Sequence, residues 1–244
     1  MEGKEGESWF GVEQLDNITL GRMVLGSFGI FNGPTGSGKS SMLYHLLFEG
    51  AGRNENVCLI TNEAPGRIAD HISSFNTHKP KWLKDGYISV FNAQDLMGLI
   101  GVEFSEAGPD DIDLFLDLIV QMVEHLDAKR LVIDPFNPIL DLLDLWEKQF
   151  FLQGLKGRMS DLGVTTFIAL DSKGTVEDHP SLCLEPYIFD IIVQFEKEKN
   201  PPITMNTMTI HRWKGSAHAK NTYVIDVSRE GVILVPRIKP LEVR

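Results

Sequence analysis

Residues 33–40 read Gly33-Pro34-Thr35-Gly36-Ser37-Gly38-Lys39-Ser40, the spacing G-x-x-x-x-G-K-S. Glycines at these positions let successive backbone N–H groups turn inward around an anion, and a helix that follows adds the partial positive charge of its N-terminus. In such a loop Gly33, Thr35, Gly36, Ser37, Gly38 and Ser41 form a phosphate cradle. Lys39 then reaches the β- and γ-phosphates, and Ser40 sets its hydroxyl on Mg²⁺. A glycine-rich surface turn is the plain alternative, and the flanks weigh against it. Residues 25–31 form a short apolar run that suits a buried strand, and residues 40–48 carry apolar side chains at helical spacing.

Turnover of a bound nucleotide needs more than a cradle. Asp134 closes the run Arg130-Leu131-Val132-Ile133-Asp134, where a carboxylate at the carboxyl edge of a buried strand can hold the hydration shell of a metal ion. A helix-capping or turn aspartate before Pro135 is the other reading. Glu63 lies just past Val57-Cys58-Leu59-Ile60-Thr61 and is the candidate to orient or deprotonate a water; an ordinary loop acid near Pro65 is its alternative. Cations concentrate in His211-Arg212-Trp213-Lys214-Gly215-Ser216-Ala217-His218. A strand period of two places Met208, Ile210, Arg212 and Lys214 on one face and His211 and Trp213 on the other. Arg212 and Lys214 then reach one anion together, supplied to a neighbouring subunit in the manner of arginine fingers, unless they simply guard an edge strand.

The elements that must position these groups alternate between apolar runs and amphipathic stretches. Strands are expected at 57–60, 88–91, 131–134, 164–170 and 191–195, with helices at 113–126 and 146–162. That order describes a mostly parallel α/β sheet with crossover helices, to which residues 204–213, 222–227 and 232–235 add antiparallel strands along one side. With 244 residues and 43% hydrophobic content, one domain over 1–244 is expected. A formal net charge of −11 and a pI near 5.1 disfavour a nucleic-acid or anionic membrane surface as partner. Cys58 and Cys183 stand alone, as expected of reduced, mostly buried thiols. No apolar stretch reaches the roughly 18 residues of a membrane span, and a cytoplasmic location without a signal peptide is expected. Residues 106–111 and 172–186 read as acidic irregular stretches, and Thr175 and Ser181 in the second read as loop hydroxyls.

Together these motifs resemble the KaiC-like branch of the RecA-type ATPases. Phe10-Gly11-Val12-Glu13-Gln14-Leu15-Asp16 is similar to the family's opening T-G-I-x-x-L-D, and Ile60-Thr61-Asn62-Glu63-Ala64-Pro65 to a strand ending in two glutamates before a proline. Gly163-Val164-Thr165-Thr166 is similar to the element after the next helix, and Lys214-Gly215-Ser216-Ala217-His218 to the R-G-[ST]-x-H hook. The resemblance implies a RecA-like fold, ATP and Mg²⁺ as ligands, and self-association in a ring, usually a hexamer. It also implies that Arg212, Lys214 and His218 reach the nucleotide of the adjacent subunit. Lys39 and Glu63 become the catalytic candidates, and Ser40 and Asp134 the metal candidates.

Three positions depart from the family pattern. Asn62 replaces the first glutamate, which leaves Glu63 alone and points to slow hydrolysis. Asn17-Ile18-Thr19-Leu20-Gly21 stands where a triple glycine is usual, and the order Arg212, Lys214 reverses the expected lysine and arginine, which are not interchangeable at a bidentate phosphate contact. Two other functions compete. A RecA/RadA-like DNA-binding recombination protein would need basic loops, yet residues 135–144 contain neither Lys nor Arg and residues 172–186 hold Lys173 against Glu177, Asp178 and Glu185. A nucleotide-stabilised scaffold with little turnover is the other. The chain carries no recognisable autophosphorylation pattern, and its protein partner is not legible.

Overall fold

The structure, a computed structural model, describes residues 7–20, 23–103, 106–171, 186–200, 203–218 and 221–237. Its elements, in chain order, begin with β1 (Glu7–Ser8), α1 (Glu13–Ile18), β2 (Met23–Val24), β3 (Phe28–Gly33), α2 (Lys39–Gly52) and β4 (Asn56–Thr61). Next come α3 (Pro65–Ser73), α4 (Lys81–Lys84), β5 (Ile88–Asn92), α5 (Ala93–Leu99), α6 (Pro109–His125) and β6 (Ala128–Ile133). The chain continues with α7 (Asn137–Leu140), α8 (Leu145–Asp161), β7 (Thr165–Asp171), β8 (Ile191–Asn200), β9 (Ile203–Trp213), β10 (Thr222–Ser228) and β11 (Gly231–Pro236). Residues 172–185, with Thr175, Ser181 and Cys183, lie outside the described residues.

A nine-stranded sheet in the order β11-β10-β9-β8-β3-β7-β6-β4-β5 carries the fold. Neighbours from β8 to β5 pair in parallel, whereas β8–β9, β9–β10 and β10–β11 are antiparallel. This is the mostly parallel α/β order expected from the runs, and the RecA-like arrangement that the family resemblance implies. Successive strand residues face opposite sides, and the apolar runs feed both. Phe31, Leu59, Val132 and Phe167 join one core with α2, while their neighbours Ile30, Ile60, Ile133 and Ile168 join a second core with α6 and α8. A strand buried on both faces has to read as a continuous apolar run, which is why β3, β4, β6 and β7 were legible.

Three local expectations need correction. The strand before the loop starts at Phe28 rather than Leu25, because Ser27 closes a turn on the Val24 carbonyl through both its N–H (3.1 Å) and its hydroxyl (2.6 Å). The acidic stretch 106–111 is helical from Pro109: proline suits the first helical position, and the Asp111 carboxylate accepts the Gly108 N–H at 2.9 Å. In β9 the period of two breaks at a bulge, where Ile192 pairs with Arg212 but Val193 pairs with Ile210. His211 is the extra residue. Trp213 therefore joins Met208 and Ile210 in the core, and Arg212 is not on their face. Among the described residues no helix is long and apolar enough to cross a membrane.

Candidate functional site

All six residues of β3 are buried, so the strand delivers the loop after it to a fixed place at the carboxyl edge of the sheet. The loop turns through Gly36 at φ +73° and Gly38 at φ +101°, left-handed conformations that a β-carbon would strain, and α2 begins at Lys39. At Gly33 a β-carbon would lie 2.3 Å from the Phe195 carbonyl oxygen, so β8 packs directly on the start of the loop. Lys39 is buried. Its Nζ donates to the carbonyl oxygens of Gly33 (2.7 Å) and Pro34 (3.1 Å) and to Asp171 Oδ1 (2.7 Å). The Ser37 hydroxyl is buried with no hydrogen-bond partner.

Beside the loop opens a crevice of about 450 Å³. Thr35, Gly36, Gly38, Lys39, Ser40 and Ser41 form one wall, and Asp134 and Glu63 reach it from the ends of β6 and β4. The parallel register explains that convergence, because Ile60 of β4 stands beside Ile133 of β6 and Asp134 N–H donates to the Ile60 carbonyl at 2.9 Å. Ser40 and Asp134 line this crevice together. Burial pushes the pKa of Asp134 up; the nearby Ser40 hydroxyl and the Lys39 charge oppose that, while the carboxylates of Asp171 and Glu63 add to it. Tyr44, on the same crevice, is raised by burial first and then by the negative charges of Asp134 and Glu63.

Sequence reasoning passed over Asp171. The residue ends β7 beside Gly33 in the register, its Oδ1 holds Lys39, and its Oδ2 accepts the Thr35 hydroxyl at 3.1 Å. Asn137 fixes its backbone from both directions: Asp171 N–H donates to Asn137 Oδ1 (2.7 Å), and Asn137 Nδ2 donates to the Asp171 carbonyl (3.0 Å). An acid closing a buried apolar strand was the very signal that singled out Asp134. Asn206 of β9 also touches the loop, donating to the Gly36 carbonyl at 3.3 Å. No sequence spacing reveals that contact.

The cationic segment sits elsewhere. Lys214 follows β9 at the amino end of β8, where Asp190 gathers several partners. Asp190 Oδ2 accepts the Phe28 N–H (3.1 Å), and Oδ1 takes Lys156 Nζ (3.1 Å) and Lys214 Nζ (3.3 Å). The whole of β3, about 17 Å long, separates this knot from the loop of the same chain. Ser216 donates its hydroxyl to the Thr19 carbonyl, and a β-carbon on Gly215 would meet Val24 at 3.1 Å, so the turn is seated on the N-terminal segment. His218 Nδ1 is buried without a hydrogen-bond partner. The structure therefore brings Lys39, Ser40, Asp134 and Glu63 together and leaves Lys214 and His218 apart from them.

The first of the two loops a DNA-binding filament protein would need takes another form here. After Asp134 the chain enters α7, and Phe136, Ile139, Leu140 and Leu143 are buried. Among the described residues no group of three or more His, Cys, Asp or Glu side chains is placed to hold a metal ion.

Comparison with known proteins agrees with this architecture. A KaiC-like protein of the hyperthermophilic archaeon Pyrococcus horikoshii superposes with a TM-score of 0.77 at 21% identity, covering 94% of this chain and 99% of the other. The circadian clock oscillator protein KaiC of Acaryochloris marina is 23% identical over 92% of this chain but only 43% of its own length, so the chain spans less than half of that relative. A UPF0273 protein of Aeropyrum pernix is 20% identical and is matched over 92% of its length. The family model described as "ATPase: KaiC" matches residues 10–239, and the chain belongs to the KaiC ATPase family.

Proposed function

We propose that this chain binds ATP with Mg²⁺ at residues 33–41 and hydrolyses it slowly, in a ring built from copies of itself, with a hexamer favoured. One observation carries the reading: Ser40 and Asp134 line one crevice at the mouth of a loop whose Ser37 hydroxyl is buried without a hydrogen-bond partner. A buried hydroxyl with no bond is costly, and a phosphate oxygen is a fitting acceptor for it. Ser40 and Asp134 are hard oxygen donors suited to Mg²⁺, which draws its other ligands from phosphate and water. That ion, when bound, neutralises charge between the β- and γ-phosphates.

The remaining roles follow from position. The open N-terminus of α2 and the amides of residues 36–41 hold the phosphates, and Lys39 orients the terminal one. Glu63, exposed on the crevice wall, orients the attacking water and takes its proton. Arg212, Lys214 and His218 serve the site of the adjacent copy, since the amino end of the sheet turns them away from the chain's own loop. Solution mass with and without Mg·ATP, together with identification of any co-purifying nucleotide, tests ligand and assembly at once. An unchanged mass and no nucleotide would reject both.

Asn62 favours a second reading, a nucleotide-stabilised scaffold with little turnover. Glu63→Gln separates the two: loss of phosphate release supports the ATPase, and an unchanged basal rate supports the scaffold.

A further inference from the structure

Lys39 has three N–H donors, and all three are engaged within the chain, by the carbonyls of Gly33 and Pro34 and by Asp171 Oδ1. A phosphate oxygen that takes a hydrogen bond from Lys39 must therefore displace one of these acceptors. Asp171 is the charged one and so the strongest competitor. The lysine is only 4% exposed, whereas the aspartate side chain is 39% exposed, so the pair opens toward the crevice from the acid's side. Asp171 has little freedom to withdraw, because Asn137 bonds its backbone N–H and its carbonyl, and β7 pairs it beside Gly33. A phosphate drawn to Lys39 thus comes to rest next to a carboxylate. Asp134 and Glu63 line the same crevice, which leaves one lysine facing an excess of acids.

We propose that Asp171 is a positioning residue that makes nucleotide binding depend on a divalent cation, by holding Lys39 until a cation offsets the carboxylate beside the arriving phosphate. The inference rests on nucleotide binding at this loop as proposed above. It assigns part of the discrimination between metal-bound and metal-free nucleotide to a residue that no motif in the sequence singles out. The exposed carboxylate is the agent, and Lys39 is the group it acts through.

The test is the affinity for a ribose-labelled fluorescent ATP, measured by anisotropy with Mg²⁺ and with EDTA. The full chain is compared as wild type, Asp171→Asn, Asp171→Glu and Asn137→Ala. Asp171→Asn is expected to tighten metal-free binding about tenfold and to change Mg²⁺-supported binding less than about threefold, because the removed charge is the one the cation would offset. Asp171→Glu is expected to keep the wild-type ratio. Asn137→Ala, which frees the backbone of Asp171 without altering charge, is expected to lower the ratio by less and so provides an independent variant should Asp171→Asn fold poorly. An unchanged ratio in Asp171→Asn and Asn137→Ala, or equal weakening under both conditions, overturns the inference while leaving nucleotide binding intact. A wild-type chain that binds neither form overturns the nucleotide reading with it.

Discussion

Two salt-bridge knots at opposite ends of the sheet are reversed in charge. At the carboxyl end a buried lysine, Lys39, is met by a more exposed acid, Asp171, with Asp134 and Glu63 on the same crevice. At the amino end a buried acid, Asp190, is met by the more exposed lysines Lys156 and Lys214. Each of these two knots buries one charge and satisfies it, so its more exposed groups are negative at the first and positive at the second. A two-fold pairing would bring like ends together, whereas a head-to-tail repeat brings unlike ends together, and head-to-tail contacts form rings when the rotation between copies closes. The difference thus supports the proposed site completed across copies, in which the first end would hold phosphate and the second would supply cations to a neighbour.

The largest expected effect tests whether the carboxyl end binds at all. Lys39→Ala should weaken nucleotide binding by at least about 100-fold in titration calorimetry, since the loop loses its one point charge. Near-normal binding would break the assignment of the two ends. The next tests whether they cooperate. Lys214→Ala should lower phosphate release about tenfold through loss of a neighbour's cation. Mixing equal amounts of Lys214→Ala and Lys39→Ala chains should place both intact halves at about a quarter of the interfaces and restore activity accordingly. A mixture no more active than the sum of its parts would show that Lys214 serves no other copy.

Smaller effects probe the amino end alone. Asp190→Asn should cost about 2 kcal/mol in urea unfolding, because Phe28 N–H and two ammonium groups lose a charged acceptor. Burial alone would raise the pKa of Asp190, but the Phe28 N–H and the two lysines override it and hold it low. Its contribution is therefore present above the ordinary carboxylate range, near pH ~4, and lost as pH falls through the depressed value. That acid-side loss should be absent from Asp190→Asn; its persistence would place the titration elsewhere. Ser216→Ala removes the hydroxyl that ties the turn to Thr19 and should cost only about 1 kcal/mol. A measurable fall in activity at unchanged stability would show that the seat of the turn tunes the hook.

Much of this was legible along the chain, and the misses are instructive. The loop could be read because its function requires a contiguous run, and Asp134 and Glu63 because each closes an apolar strand. Asp171 carries the same signature, yet its partner Lys39 lies 132 residues away, and nothing local announces the pairing. The bulge at His211 escaped for another reason. A bulge is a property of two strands in register, and the period of two in one strand cannot show the residue its partner fails to match.

By itself, then, the sequence determined the parallel α/β order, the glycine loop and the strand-end acids, since backbone conformation and alternating burial are written in neighbouring residues. Tertiary structure alone decided which acid holds Lys39, which face Arg212 takes, and that Lys214 lies a strand's length from its own loop. Those outcomes depend on how strands far apart in the chain align edge to edge, and alignment is set by packing both cores at once.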